Sequence, residues 1–295
     1  MLTLRILEIV LPIFTIVGVG LLYGRRHRPE MSVVNTVNMD VFVPMLMFTV
    51  LVEQSVDFAS YRPLLLGAAC VVLGSGLLAI PAAALLGVGK KTFAPPMMFS
   101  NAGNLGLPLM VLAFGEAALP AAVLVFLVES GLHFSLGMWF LSGQSSLLAL
   151  LRTPLIVAVI AAFLVNALQL NIPPALMLPI SMMSKVSIPL MLFSLGTRLA
   201  FADLREWRVG LSGGIFAPLC GLAIVFAINP LLDLPPMQQG VLFLFGALPP
   251  AVLNYIFAER YAIEPAKVAA IVVIGNALTV LSLPLVLGYV LPRFA

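Results

Sequence analysis

The chain has 295 residues, of which 62% are hydrophobic and 9% charged, with a formal net charge of +3. A soluble domain carries roughly 25% charged residues and about half apolar ones, so a soluble globule is excluded, and disorder, which needs high charge and low hydrophobicity, is excluded with it. At about 20 apolar residues per membrane span, ten spans take about 200 residues and leave roughly 95 for connections, so the chain reads as an all-α polytopic membrane protein without a sizeable soluble domain.

Apolar runs separated by charge, Pro or Gly place the ten transmembrane helices at 6–24, 33–52, 63–88, 94–114, 119–141, 153–170, 175–197, 208–229, 237–258 and 266–290. The first run contains Glu8 and ends at Tyr23-Gly24 without a small-residue cleavage site, as a retained helix does rather than a signal peptide. No basic run exceeds Arg25-Arg26-His27-Arg28, which flanks that first span. Basic residues there carry topology information, so nucleic-acid binding is not expected. With the N-terminus outside, the inner loops hold Arg25, Arg26, Arg28, Lys90, Lys91, Arg152, Arg198, Arg205, Arg208, Arg260 and Lys267, eleven of the fifteen basic residues. The outer segments hold Arg5, Arg62 and Arg293, so the bias predicts that both termini are extracytoplasmic. Cys70 and Cys220 lie in apolar stretches and read as packing residues, not a disulfide or metal pair.

The second span contains Val43-Pro44-Met45-Leu46-Met47-Phe48-Thr49, and the seventh contains the similar Ile188-Pro189-Leu190-Met191-Leu192-Phe193-Ser194, half a chain away. A weaker match sets Phe99-Ser100-Asn101 of span four against Phe245-Gly246-Ala247 of span nine. Each half has five spans, so matched spans face opposite ways, and the arrangement predicts a 5+5 inverted repeat of the kind secondary transporters use. Asp40 and Lys185 each stand four residues before the repeated proline. An intramembrane charge is costly unless paired or hydrated. Two readings stand: a salt bridge between them, or separate residues lining a pathway, with Asp40 as a further proton-carrier candidate.

Span four reads Ser100-Asn101-Ala102-Gly103-Asn104-Leu105-Gly106-Leu107-Pro108-Leu109, poor material for a continuous helix. Span nine has the counterpart Gly246-Ala247-Leu248-Pro249-Pro250-Ala251-Val252-Leu253-Asn254. Paired helix breaks in two halves point to a transport site, because half-helix N-termini offer free N–H groups and a partial positive charge suited to a carboxylate. Asn101, Gly103, Asn104, Pro108, Pro249, Pro250 and Asn254 are the candidate substrate-binding residues; the bland alternative is a Pro kink with Asn side chains gluing helices. In span five, Glu129 and His133 lie four apart on one helical face, as a proton relay or as a polar helix–helix contact. Asn276, Thr279 and Ser282 of span ten are available to complete a polar lining. With two His and no H-E-x-x-H, neither a metal site nor a cofactor is expected, and no phosphate-binding G-x-x-x-x-G-K-[ST] segment supports ATP hydrolysis.

Taken in order, several segments resemble the auxin efflux carrier family in its bacterial branch. They are Leu11-Pro12-Ile13-Phe14 with Gly18 and Gly20, Val43-Pro44-Met45-Leu46-Met47-Phe48, Asn101 to Leu109 followed by Phe114-Gly115, Val128-Glu129-Ser130, Pro189-Leu190 through Gly196, and Ala247-Leu248-Pro249 with Phe257-Ala258 and Tyr261. Asp40 before Phe42-Val43-Pro44 is similar to the malonate-transporter branch. The resemblance implies the fold of bile-acid/sodium symporters and sodium/proton antiporters, with repeats at 1–145 and 146–295. Spans 1, 2, 6 and 7 would be a scaffold, and spans 3–5 and 8–10 a transport domain in which the broken helices cross. It further implies an elevator-type mechanism, a homodimer, and organic anions such as auxins or malonate-like carboxylates as substrates, with a proton or sodium as coupling ion. The long central loop of the plant carriers is reduced here to Gly143–Arg152.

The expected function is therefore secondary transport of a small organic anion across the cell membrane. The alternatives are a sodium-coupled symporter of larger, bile-acid-like anions, or a non-transporting membrane sensor. An intramembrane enzyme built on Glu129 and His133 lacks the further groups that such chemistry requires.

Overall fold

The computed structural model describes residues 2–54, 58–143, 151–201 and 205–295. The expected repeat boundary at 145/146 and most of the short central loop lie outside them. The described residues form twelve helices: α1 Leu2–His27, α2 Met31–Glu53, α3 Arg62–Leu85, α4 Lys90–Met98, α5 Ala102–Phe114, α6 Glu116–Ser142, α7 Pro154–Ala167, α8 Pro174–Leu199, α9 Trp207–Leu231, α10 Pro236–Gly246, α11 Leu253–Arg260 and α12 Pro265–Phe294. Helices thus occupy all ten expected places. Seven of them (α1, α2, α3, α6, α8, α9 and α12) are long and apolar enough to cross a membrane, α7 is shorter, and the fourth and ninth places hold broken pairs.

Local chemistry sets the ends. Helices α7, α8, α10 and α12 begin on a proline, whose missing N–H has no intrahelical acceptor at that position anyway. Thr153 caps α7 by accepting the Ile156 N–H at 3.5 Å. Gly143, at φ +75°, ends α6 in the left-handed conformation that a side chain would resist. Three π-helical turns interrupt the ladders, at Asn38–Phe42, Ala102–Gly106 and His133–Gly137.

The chain divides into two compact units. One comprises Met1–Phe14, Tyr61–Ser145 and Phe201–Ala295. Its core includes Ala79, Ala83, Phe93, Ala94, Met97, Ala217 and Ile271. Small residues let its backbones touch: a Cβ on Gly221 would lie 2.1 Å from the Gly246 carbonyl oxygen, and one on Gly214 2.9 Å from the Gly275 Cα. Lipid tails are as apolar as Leu, so close van der Waals contact rather than hydrophobic burial holds such helices together.

The other unit comprises Thr15–Ser60 and Ser146–Ala200. Here Gly20, Gly24 and Gly196 form the seam between α1 and α8. A Cβ on Gly20 would meet the Phe193 carbonyl oxygen at 2.2 Å, and one on Gly196 the Val17 carbonyl oxygen at 2.0 Å. Polar side chains stitch the remaining helices: Ser194 Oγ donates to Asn35 Oδ1 at 2.5 Å, and Asn166 Nδ2 donates to the Leu51 carbonyl at 2.7 Å.

Candidate functional site: the paired helix breaks

Between α4 and α5 the backbone is extended at Phe99, with φ −105° and ψ 105°, and it turns back into helix only at Ala102. Between α10 and α11 it is non-helical from Ala247 to Val252. The two unwound stretches meet as an antiparallel bridge at Ser100 and Pro250. The Asn101 N–H donates to the Pro249 carbonyl at 2.7 Å, and the Ala251 N–H donates to the Phe99 carbonyl at 2.9 Å. Ser100 and Pro250 therefore occupy the position of a pair that exchanges no hydrogen bonds between its own members. Pro250 needs no N–H there, and Pro249 is used only as an acceptor. This is how two prolines fit a bridge from which proline is ordinarily barred, and how broken backbone is satisfied within a membrane protein.

Side chains lock the bridge. Asn101, 3% exposed, donates from Nδ2 to Asn276 Oδ1 at 2.7 Å. Asn276 in turn donates from Nδ2 to the Pro250 carbonyl at 2.9 Å and to the Val272 carbonyl at 2.8 Å. Asn254 Nδ2 donates to the carbonyls of Phe99 and Ala251, both at 2.9 Å. Thr279 Oγ1 donates to the Asn276 carbonyl at 2.5 Å. Glycines permit the approach: a Cβ on Gly275 would lie 2.8 Å from Pro250 Cδ, and one on Gly106 2.8 Å from Leu248 Cδ1.

The expected asparagines therefore divide. Asn101 and Asn254 commit their amide donors to the crossing, whereas half-buried Asn104, in the π-helical turn with Gly103, makes no side-chain hydrogen bond among the described residues. Asn254 Oδ1 and Ser100 Oγ are buried without a hydrogen-bond partner among the described residues. Pro108 is buried within α5. Where the two helices restart, the amide N–H groups of Gly103, Asn104, Val252 and Leu253 make no hydrogen bond with described residues. Four N–H donors at two helix N-termini, with the uncommitted Asn104 amide, suit an anion.

Beside the crossing, Glu129 and His133 are 4% and 1% exposed, and His133 Nδ1 lies 3.4 Å from Glu129 Oε1. Asp40 sits in the π-helical turn of α2 and Lys185 on α8. Both are exposed and both belong to the second unit. No ion pair joins them among the described residues, so the salt-bridge reading of this pair is set aside. The place of a charge along a span does not fix the face of the helix on which it lies.

Two participants escaped the sequence reading. Phe99 works through its carbonyl, which every residue has, so no residue type signals it. Ser100 was visible as a polar residue at the break but weighed less than the neighbouring asparagines. Outside the spans, Glu264 accepts from Thr92 Oγ1 at 2.5 Å and pairs with Lys267, and these bonds, with the Lys267 bond the larger cause, hold its carboxyl below the usual range. The contact ties the start of α12 to α4.

The described residues are those of an all-helical, multi-pass membrane protein, with seven long apolar helices and a bridge between two broken ones. A family profile described as "Membrane transport protein" matches residues 137–287, and the chain belongs to that family, as the auxin efflux carrier resemblance implied. It is also 25% identical over 202 residues to "Uncharacterized transporter MJ1031" of Methanocaldococcus jannaschii. That similarity covers 64% of this chain and 64% of that protein.

Proposed function

We propose that this chain is a secondary transporter of a small organic anion, an auxin-like or malonate-like carboxylate, working by an elevator-type alternating-access mechanism. The observation that carries the reading is the crossing: two helix breaks that satisfy each other's backbone while the N–H groups of Gly103, Asn104, Val252 and Leu253 bond no described residue. A carboxylate has acceptors for several such donors, and at a helix N-terminus it meets a favourable dipole without any permanent cation in the membrane. Asn104 supplies a neutral amide donor to orient the ligand.

The grouping of helices into units supports an elevator. The unit that holds the crossing takes in the third to fifth and eighth to tenth spans with the first half of span one, and the other takes the second half of span one with the second, sixth and seventh. We read the former as the transport domain, the latter as the scaffold and the seat of a homodimer, and the whole as two inverted repeats with both termini extracytoplasmic.

Counterflow in proteoliposomes tests this reading without knowledge of the coupling ion. Protein loaded with malonate, succinate, indole acetate or taurocholate is expected to accumulate labelled tracer of a small carboxylate, and Asn104→Leu to abolish that uptake. Taurocholate uptake alone would favour the larger-anion symporter. Ligand binding with no counterflow by folded protein would favour a sensor.

A further inference from the structure

The Glu129–His133 pair is built in a way that neither the crossing nor helix packing requires. Its side chains are 5% and 2% exposed, its nitrogen–oxygen distance is 3.4 Å, and both Glu129 Oε1 and His133 Nε2 are buried without a hydrogen-bond partner among the described residues. Ser130 Oγ, at 3.4 Å from Glu129 Oε2, is the other polar contact. The imidazole lies flat on the Phe99 ring, with centroids 4.0 Å apart and planes 5° apart, and Phe257 stands edge-on at 5.1 Å. Gly137 makes that stacking possible, because a Cβ there would come within 2.9 Å of Phe99 and 3.0 Å of His133. Phe99 is also the residue whose carbonyl accepts both the Ala251 N–H and Asn254 Nδ2 from the other broken helix. One residue thus joins the imidazole to the bridge through two covalently fixed ends.

The remaining titratable groups stand elsewhere. On the elements packed against α6 they are Arg62 and Cys70 of α3, Lys90 and Lys91 of α4, and Tyr255, Glu259 and Arg260 of α11; α5 and α10 carry none. Lys91 Nζ donates to the Leu141 carbonyl at the far end of α6, and Tyr255 bonds Glu259. None of these makes an ion pair or hydrogen bond with Glu129 or His133.

We propose that Glu129 and His133 together form a proton-binding site whose occupancy is sensed at the crossing through Phe99, making the proton the ion that is coupled to anion transport. The proposal rests on the anion-carrier reading above. With a neutral imidazole and an ionised carboxylate the pair carries one negative charge. A single proton, bound on His133 Nε2 when Nδ1–H faces the carboxylate, leaves the pair with no net charge. The imidazolium is then held by the carboxylate and by the face of Phe99. A negative pair beside the crossing opposes a bound anion and a neutral one does not, so proton and anion each favour the binding of the other, as linkage demands. The two then travel in the same direction.

Only two histidines occur in the chain, so His27→Gln leaves His133 as the sole imidazole while the pair stays intact. Nitrogen NMR of the full-length protein carrying that change, followed from about pH 5 to pH 9, is expected to show the His133 ring changing protonation state, and the Ala251 amide resonance moving with the same midpoint. Adding Glu129→Gln should displace that midpoint. In counterflow with malonate, apparent affinity should fall about tenfold per pH unit above the midpoint, and His133→Gln should flatten the profile. An imidazole that keeps one protonation state across the range, an Ala251 signal indifferent to it, or a His133→Gln profile identical to the unmodified protein would overturn the proposal. If no anion is transported at any pH while the ring titration and the Ala251 response are both present, the carrier reading fails and the proton site stands.

Discussion

Asn104 and Asn254 look equivalent as letters, both polar residues at a broken helix, but they are spent differently. Asn254 places both hydrogens of its amide on carbonyls of the bridge, whereas Asn104 makes no side-chain hydrogen bond among the described residues. Asn254→Leu is therefore expected to destabilise the fold by about 1–3 kcal/mol, since it leaves the Phe99 and Ala251 carbonyls short of a buried donor. Thermal unfolding in detergent checks this. Asn104→Leu should unfold at the temperature of the unmodified protein and yet fail to transport. Residue types that mark a polar site were legible in the sequence. What was not legible is which of them the backbone consumes, because that depends on carbonyls brought from 155 residues away.

At the scale of elements, both helix breaks could be read directly, since Gly, Pro and Asn at matched places leave little alternative to unwinding. The π-helical turns could not be read: a one-residue change of register inside an apolar helix leaves no compositional trace. The seam between α1 and α8 lies between these cases. Gly20 and Gly24 are spaced as small residues are when two helices touch, but the partner Gly196 is identified only by the fold. Gly196→Ala should force the backbones apart and cost about 1–3 kcal/mol, with Gly20→Ala behaving alike, measured as a loss of thermal stability. The Glu264 contact makes a different prediction. Its carboxyl is held below the usual range in the folded protein, so the stabilisation is complete above the unfolded carboxylate range and is lost as the pH falls through the lower, folded value. Because the side chain is 43% exposed, solvent screens it, and the expected effect is about 1 kcal/mol or less. Glu264→Gln should abolish that part of the acid sensitivity, read from unfolding midpoints between about pH 3 and pH 6.

For the molecule as a whole, ten helical segments were visible from hydropathy and punctuation, and the broken pairs from their composition. The division into two units was not, because each is assembled from separated stretches of chain and lipid-facing and protein-facing apolar residues look alike. Orientation is a question the charges can answer. Cysteines placed near Arg5 and Arg293, in a protein freed of Cys70 and Cys220, should react with an impermeant reagent added outside intact cells, and a cysteine near Arg205 should not. The reverse pattern would invert the topology and the sense of every loop.

The bridge at Ser100 and Pro250 also has a consequence for biosynthesis. The Phe99 carbonyl and the Asn101 N–H emerge from the ribosome some 150 residues before Ala251 and Pro249. Until then the first half must enter the bilayer with a stretch of open backbone, a state that costs several kcal/mol per unmet group in hydrocarbon. The fourth span is accordingly expected to remain near water or under the care of the insertion machinery until the ninth arrives. Ribosome-stalled chains ending before residue 236 should expose a cysteine at position 100 to aqueous reagent, and chains ending after residue 290 should protect it. A lesion in the ninth span would then be felt as a failure to complete the fourth.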